Sequence, residues 1–306
     1  MRKIRIGSRG SDLALWQANH VKKQLEALGA EVTITVIKTQ GDEIQHLSFD
    51  KLEGKGFFTK EIEQALLQET IDLAVHSHKD LETNPPSGLI IAAVSERENP
   101  ADVLLIHPRA FDEGAFWNLK KDAVVGTSSA RRKAQVVSFR PDAEIKDLRG
   151  NVPTRLQKLV DGEYDAILLA KAGLDRLKLD LKGMHEVVLD PEQFIPAPAQ
   201  GVLALQIREN DRELHNVMQA LNHEDVQSQI ALERTVLNRL QGGCQLPLGA
   251  YCPEEGRLLV AFAHEWEQGA QWFEFEGPHD LDMVDVVLEA LLEEEEEDDE
   301  DQEYLS

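Results

Sequence analysis

Apolar residues recur along the chain first at strand spacing and then at helical spacing. Ile4 and Ile6 alternate with charged residues, which predicts a strand, and the small-residue segment 7–11 forms a turn in which Ser11 can cap a helix. Five apolar residues then recur at helical spacing: Ala14, Ala18, Val21, Leu25 and Leu28. A strand followed by a helix therefore opens the chain.

The alternation continues over the next sixty residues. Residues 32–36 predict a second strand, a helix begins near Thr59, and residues 71–75 form a short buried strand that ends at His76. Strands that alternate with helices are typical of an α/β fold with mostly parallel sheets. In such a fold the ligand groups gather at the carboxyl ends of the strands.

A similar series starts again after Asn99 and Pro100. Residues 124–126 predict a strand that leads into a turn of hydroxyl residues and a helix, a later helix carries Pro153 in its first turn, and residues 164–170 repeat the buried strand. We therefore expect two similar α/β lobes.

The last third of the sequence departs from this pattern. A proline-spaced stretch over 191–198 is followed by a strand at 202–207, and beyond about Leu221 a helix precedes strands that are separated by glycines. These features indicate a third, smaller α+β domain. Ten acids between Glu293 and Glu303 form a tail that we expect to be solvated and partly disordered.

Composition and charge exclude some classes of function. The chain has 306 residues, of which 42% are hydrophobic and 29% charged, as in a soluble globular protein. No apolar run approaches the ~18 residues that span a bilayer, and Arg5 and Gly7 interrupt the amino terminus before a signal peptide could form, so a cytoplasmic protein without membrane contact is expected. The net charge of -24 argues against nucleic-acid binding.

Arginines gather at the predicted strand-to-helix junctions of this acidic chain. Five of them lie near predicted helix amino termini: Arg9, Arg131, Arg132, Arg149 and Arg155. An arginine there opposes the helix dipole, whereas the free backbone N–H groups attract anions. Because this unfavourable placement of arginines occurs at three junctions, it favours an anionic ligand between them. The alternative is that these are ordinary surface arginines.

The segment 75–80, with sequence VHSHKD, follows a buried strand. His76 and His78 alternate onto one strand face, but no third ligand stands at a recognisable spacing, and we expect no metal. Asp80 beside Lys79 is a carboxylate near basic groups that can hold or remove a proton. The alternative is an ordinary turn aspartate.

Cys244 follows two glycines in the segment QGGCQLP. Gly242 and Gly243 leave room beside the backbone, which suits a thiol that carries a bulky group, although a lone cysteine is more often a small buried hydrophobe. Cys252, the other cysteine, is expected to pack in that second way. A thiol-dependent hydrolase that uses Cys244 is a further alternative.

Several long segments, in the right order from residue 4 to about residue 252, resemble the porphobilinogen deaminase family. They are IGSRGSDLALWQA, KTQGD, GKGFFTKE, VHSHKD, GTSSARR, LRGNVPTRL, AGLDRL, PAPAQG, LERTVL and QGGCQLPLGAY. The chain departs from the family pattern at 81–84, where a proline usually comes soon after the aspartate, and at Ala199, where glycine is usual.

The resemblance implies an activity and a cofactor. Members of the family join four porphobilinogen molecules head to tail, with release of ammonia, into the linear tetrapyrrole hydroxymethylbilane for heme and related pigments. They do so on a dipyrromethane primer, which the resemblance places on Cys244 through a thioether. Asp80 takes the catalytic position. The rival interpretation is a non-catalytic, two-lobed cytoplasmic anion-binding protein.

The resemblance also assigns binding residues. Those for the cofactor, besides Cys244, are Ser77, Lys79, Thr127, Ser128, Ser129, Arg131, Arg132 and Arg155. Those for the substrate are Arg9, Ser11, Lys55, Arg149 and Arg176. Because each pyrrole bears an acetate and a propionate, bidentate guanidinium groups can hold and orient each ring.

The family's architecture suggests the domain boundaries. Its first two domains resemble the lobes of periplasmic binding proteins, with the second inserted into the first. We therefore expect one domain over 1–98 and 197–217, a second over 99–196, a third over 218–292, and the tail over 293–306. A monomer is expected.

Overall fold

The computed structural model describes residues 2–39, 59–241, 245–278, 280 and 282–291. Within them the chain forms two five-stranded sheets and one three-stranded sheet, each packed against helices. The α/β organisation with a smaller third domain is confirmed.

The first lobe is built around a sheet with apolar cores on its faces. Its strands are β1 (Lys3–Ser8), β2 (Glu31–Val36), β3 (Leu73–Ser77), β4 (Leu89–Val94) and β10 (Leu203–Arg208). Its helices are α1 (Asp12–Ala27), α2 (Lys60–Leu67) and α6 (Arg212–Gln219). The strand order is β2-β1-β3-β10-β4. Ser11 caps α1 as predicted, since its Oγ accepts a hydrogen bond from the Ala14 N–H at 3.3 Å.

The second lobe repeats this arrangement. Its strands are β5 (Asp102–Ile106), β6 (Val124–Gly126), β7 (Glu144–Lys146), β8 (Ala166–Ala170) and β9 (His185–Val188). Its helices are α3 (Ala130–Phe139), α4 (Val152–Val160) and α5 (Lys171–Leu177). The order β7-β6-β8-β5-β9 matches the first sheet position by position. Pro153 lies in the first turn of α4, where Asn151 caps the helix.

As expected, both large sheets are mostly parallel: four of the five strands in each run in the same direction, and one strand in each is reversed. In the first, β1 pairs parallel with β2 and β3, whereas β10 runs antiparallel to β3 and β4. In the second, β6 pairs parallel with β7 and β8, and β5 runs antiparallel to β8 and β9.

The reason for the reversed strands lies in how the chain crosses between the lobes. Leu203, the first residue of β10, is paired with Ser77, the last residue of β3, and Asp102 is likewise paired with Ala170. Both strands that enter from the other lobe therefore start at the edge where the neighbouring strand ends. A strand that starts there must run antiparallel to its neighbour.

The two crossing segments lie against each other. The Glu98 N–H donates to the Gly201 carbonyl at 3.1 Å, and Gly201 has a φ of +93°. A Cβ on Gly201 would stand 2.4 Å from the Glu98 carbonyl oxygen, so this close approach requires glycine. Ala199, where the family usually has glycine, also has a left-handed φ, of 60°.

The third domain packs two helices on a small antiparallel sheet. The strands are β11 (Leu248–Tyr251), β12 (Arg257–Phe262) and β13 (Gln271–Glu276), and the helices are α7 (Glu224–Arg239) and α8 (282–291). Its apolar core includes Val236, Val260 and Val284. In the described part of the chain, no helix is long and apolar enough to cross a membrane.

Candidate active site

Asp80 stands at the carboxyl end of the central strand β3. The strand ends at Ser77, and the 3-10 turn His78–Asp80 follows and leaves Asp80 exposed. Asp80 and Ser77 line a depression together with Arg9 and Ser11 from the β1–α1 turn. Four of the predicted site residues therefore lie around one depression.

Lys79 connects this turn to the second lobe. Its Nζ donates to Gln200 Oε1 at 3.0 Å. The Gln200 amide nitrogen in turn donates to the Pro100 carbonyl at 2.7 Å and to Asp102 Oδ1 at 3.0 Å. A chain of hydrogen bonds thus runs from the Asp80 turn through both crossing segments to the start of β5.

The surroundings of Lys79 disfavour its protonated form, mainly through burial. Burial lowers the pKa of Lys79 to about 8. Nearby Arg132 and Arg131 act in the same direction, whereas Asp80 and Asp102 favour the protonated form without restoring the ordinary value. Burial, rather than the surrounding charges, therefore accounts for most of the lowered pKa of Lys79.

Arg131 and Arg132, at the start of α3, are both buried and share one carboxylate. Arg131 Nη1 donates to Asp102 Oδ2, and Arg132 Nη2 donates to Asp102 Oδ1, each at 2.7 Å. Further donors reach the carbonyls of Ile195 at 2.8 Å and Leu168 at 3.1 Å. The two guanidinium groups hold the pKa of the buried Asp102 carboxyl well below its usual range.

Arg155 on α4, in the second lobe, interacts electrostatically with Asp80 of the first lobe. Its Nε donates to the Gly150 carbonyl at 2.7 Å. Burial, with the charges of Arg132 and Arg149, lowers the pKa of Arg155 to about 10, and Asp80 is the group that opposes them. Asp80 from one lobe and these arginines from the other are therefore close enough to interact.

Arg176 lies in the last turn of α5, at the junction of the lobes. Its Nη2 donates to the Gly201 carbonyl at 2.7 Å, and its guanidinium carbon lies 5.8 Å from the centre of the Trp16 ring on α1. Arg176 is buried by these contacts. Its role in substrate binding stays a prediction.

The predicted hydroxyl residues shape the β6–α3 turn. Thr127 is buried, and its Oγ1 accepts from the Ser129 N–H at 3.3 Å. The Ser128 hydroxyl donates to the Leu148 carbonyl and accepts from the Leu148 N–H, both at 3.0 Å. These bonds fix the turn before α3 against the segment that leads to Arg149.

Two predicted site residues, Lys55 and Cys244, lie outside the described residues. Cys252 is described, and it packs as a small hydrophobe as expected, 1% exposed in the core of the third domain. Its backbone N–H donates to Glu233 Oε1 at 2.9 Å, and burial raises the pKa of its thiol. Cys252 is therefore poorly suited to react as a thiolate.

The two histidines do not share a strand face, contrary to expectation. His76 is in β3 and its Nε2 lies 3.2 Å from Gln206 Oε1, whereas His78 has already left the strand for the 3-10 turn. Burial lowers the pKa of His76 to about 4 and that of His78 to about 3. No group of three potential metal ligands occurs among residues that the structure describes.

Three residues of this site escaped the sequence analysis: Asp102, Gln200 and Arg234. Asp102 had a usable signal, since it is a lone charge at the start of the apolar strand DVLLI. Gln200 and Arg234 lie in the segments PAPAQG and LERTVL that carry the family resemblance, but no local pattern gave them a role, because their contacts join segments that are more than 100 residues apart.

Comparisons with known proteins show the family of this chain. The family model "Porphobilinogen deaminase, dipyromethane cofactor binding domain" matches residues 4–216, and the C-terminal domain model of the same family matches residues 228–260. The chain belongs to the porphobilinogen deaminase family. Porphobilinogen deaminases from Sulfurimonas denitrificans and Neisseria meningitidis serogroup A are both 46% identical to it, over 81% and 85% of this chain and 79% and 82% of theirs.

Solved structures with a similar chain path include binding proteins. The probable amino-acid ABC transporter extracellular-binding protein ytmK from Bacillus subtilis is 12% identical, with a TM-score of 0.46 over 72% of this chain and 90% of that one. The ancestral amino acid-binding protein AncCDT-1 is 17% identical, with a TM-score of 0.38 over 72% of this chain and 87% of that one. The family membership rests on the sequence relatives alone.

The residues present fit the dipyrromethane that gives the family's first domain its name. Two linked pyrroles, each with an acetate and a propionate, carry four carboxylates. The cluster offers cations with lowered pKa values, Lys79 and Arg155, and a buried Arg131 Nε that has no hydrogen-bond partner within the described residues. A tetra-anion would favour the charged forms of these buried groups.

Proposed function

We propose that this protein joins four porphobilinogen molecules head to tail into hydroxymethylbilane and releases one ammonia at each step. The observation that carries the proposal is an exposed carboxylate, Asp80, that lines a depression with Arg9 and interacts electrostatically with Lys79 and with Arg155 of the other lobe. Porphobilinogen has the matching chemistry, because each ring carries two carboxylates and an aminomethyl group that can leave as ammonia. The cations hold the carboxylates, and Asp80 is left to act on the ring.

Asp80 is the proposed catalytic residue. When the carbon–nitrogen bond of the aminomethyl group breaks, its electron pair leaves with ammonia and positive charge develops on the pyrrole. A carboxylate that faces the ring N–H stabilises this charge as it forms. After the new carbon–carbon bond forms, the same carboxylate can guide the departing proton.

The guanidinium groups are proposed to bind the carboxylates of the cofactor and the substrate and to orient the rings. The proposed cofactor ligands are Ser77, Lys79, Thr127, Ser128, Ser129, Arg131, Arg132 and Arg155, and the proposed substrate ligands are Arg9, Ser11, Lys55, Arg149 and Arg176. Asp102 supports this arrangement, since its bonds to Arg131 and Arg132 preset the direction of both guanidinium groups. Side chains that are fixed before binding lose little entropy when the anion arrives.

The primer is proposed to be attached to Cys244 through a thioether. When bound, the dipyrromethane supplies the pyrrole carbon to which the first substrate unit is joined. Two features support Cys244: the glycines before it, and the burial of Cys252, the other cysteine.

Intact mass of the purified protein tests the function and the attachment together. We expect a covalent dipyrromethane that survives denaturation, because a thioether resists hydrolysis. Cys244→Ser should be folded but unloaded and inactive, whereas the matched control Cys252→Ser should stay loaded and active. An added mass that maps to Cys252, or full activity in Cys244→Ser, would contradict the assignment. A non-catalytic anion-binding protein or a thiol hydrolase would carry no dipyrromethane.

The arginines are tested with limiting porphobilinogen. Arg131→Leu or Arg132→Leu should impair priming or the first additions, since each charge-assisted contact contributes about tenfold to a hundredfold in binding. The masses of the enzyme after mixing report how many units have been added. Arg239→Leu, on the exposed face of α7, is the control. The anion-cleft proposal fails if six single variants give the wild-type distribution: those at Arg9, Arg131, Arg132, Arg149, Arg155 and Arg176.

A further inference from the structure

The turn that carries Asp80 is held from outside by one guanidinium group. Arg234 Nη1 donates to the His78 carbonyl at 3.0 Å, and its Nη2 donates to the carbonyls of Leu81 at 3.2 Å and Glu82 at 2.7 Å. These carbonyls lie on both sides of Asp80 in the chain. Arg234 therefore spans the turn from its beginning to its end.

The helix that carries Arg234 is itself fixed in the third domain. On α7, the buried neighbour Glu233 pairs with Arg97 at 2.7 Å, and Val236 packs in the apolar core. One turn after Arg234, Asn238 Oδ1 accepts from Asn84 Nδ2 at 3.0 Å. The segment 81–84, where the chain departs from the family pattern, thus makes three hydrogen bonds with α7.

The Asp80 carboxylate depends on this backbone for its position. Within the described part of the chain it accepts no hydrogen bond, and the side chain is exposed. The place of the carboxylate is therefore set by the turn 78–82. A short 3-10 turn with three anchored carbonyls has less freedom than the same turn with those carbonyls in water.

We propose that Arg234 is a positioning residue, which acts through the backbone of the 78–82 turn to hold the Asp80 carboxylate at the reacting ring. This inference rests on the proposed function. Arg234 does not line the depression that Asp80 lines; it lines a separate one with His78 and Leu81. It links the third domain to the catalytic carboxylate in the first lobe.

A double-mutant cycle on the primed enzyme tests the inference. Arg234→Gln should lower kcat about tenfold to a hundredfold, with KM within about twofold, because the loss falls on the geometry of the chemical step. In the Asp80→Asn background the same substitution should change the single-turnover rate by less than about threefold, since the group that it positions has lost its charge. Arg239→Gln, on the same helix, should leave kcat unchanged.

The outcomes separate this inference from the proposed function. An equal fall in rate for Arg234→Gln in both backgrounds, or no fall in kcat, overturns the positioning role while the role of Asp80 stands. Near-normal turnover of Asp80→Asn overturns the catalytic assignment instead. If Arg234→Gln does not fold or load its primer, Arg234→Lys, which keeps the charge and part of the donors, is used in the same cycle. It should lose less kcat than Arg234→Gln, with the same dependence on Asp80, and a loss of kcat independent of Asp80 would count against the inference.

Discussion

The two lobes have the same strand order, yet they place opposite charges at the edge where they meet. In the first lobe the central strand β3 ends in a 3-10 turn that exposes Asp80. In the second lobe the equivalent strand β8 ends in a helix, α5, whose Arg176 is buried at the lobe junction. The scaffold fixes where a group stands, and the few residues after each strand decide which charge it has and whether it is free to react.

The lobes also differ in how their charges are supported. Arg131 and Arg132 are anchored by the buried Asp102, whereas the Asp80 carboxylate has no such partner among the described side chains. This difference suits the proposed roles. Groups that bind an anion benefit from being preset, whereas a carboxylate that meets a developing cation must keep its oxygens available.

The largest expected effect is on kcat, and it comes from removing the carboxylate charge after the central strand of the first lobe. Asp80→Asn keeps the shape and removes the charge, so kcat should fall by about a hundredfold or more. Asp175→Asn, in the helix that follows the equivalent strand of the second lobe, removes a carboxylate that pairs with Lys171 and should leave kcat within about twofold. Steady-state rates of ammonia release measure both. Similar losses in the two variants would show that the lobes do not differ in this respect.

The next effect is on the free energy of unfolding. It comes from removing the buried Asp102 carboxylate that anchors Arg131 and Arg132 in the second lobe. Asp102→Asn leaves two buried guanidinium groups without their carboxylate, which should cost about 3–5 kcal/mol of the free energy of unfolding. Asp285→Asn, which removes the exposed partner of Arg239, should change it by less than about 1 kcal/mol. Urea unfolding gives both values. A small loss in Asp102→Asn would mean that the arginines do not depend on this carboxylate.

A pH experiment compares the lysines that follow the two central strands. The Asp175 side chain and Glu186 raise the pKa of Lys171 against the smaller effect of burial, whereas burial lowers the pKa of Lys79 to about 8. Between pH 8 and the ordinary lysine pKa of about 10.4, the unfolded chain binds a proton at Lys79 that the folded chain has lost, so stability from this group rises with pH.

In the unloaded Cys244→Ser background, the stability of the protein with Lys79 relative to the one with Lys79→Met should therefore increase from pH 8 to pH 10. Lys171→Met should instead be less stable than the Cys244→Ser protein at both values, because its pKa is raised and both states hold the proton there. Chemical unfolding at the two pH values measures these differences. A constant difference between the Cys244→Ser protein and its Lys79→Met variant would mean that Lys79 titrates normally.

The smallest expected effect concerns helix ends. Helix α1 in the first lobe is followed by Gly29 at φ +89°, whereas α5 in the second lobe ends on Lys178 at φ +48°. A side chain in the left-handed region is strained, and glycine relieves this strain at a smaller cost in unfolded-state entropy. Lys178→Gly should stabilise the protein by about 0.5–1 kcal/mol in urea unfolding. Lys178→Ala, which keeps its Cβ, should give no gain.

Much of the fold could be predicted from local patterns. Hydrophobic alternation gave the strands around Ile4 and Val75, and hydroxyl and amide residues such as Ser11 gave the helix starts. The reversed direction of β10 could not be predicted in this way. Whether β10 is parallel or antiparallel to β3 depends on which edge of the sheet the chain enters after it leaves the other lobe. The residues of the two strands do not determine that path.

For the candidate site, too, the local sequence determined some features and the tertiary structure determined others. The residue types after each strand, with Asp80, Arg131, Arg155 and Cys244 among them, are local features of the sequence, and they already indicated a cation-lined site with one carboxylate. Burial, pairing and pKa were decided only by the tertiary structure. They depend on contacts between distant segments, such as Asp102 with α3, Lys79 with Gln200 and Arg234 with the Asp80 turn, which form only when three separate domains pack together.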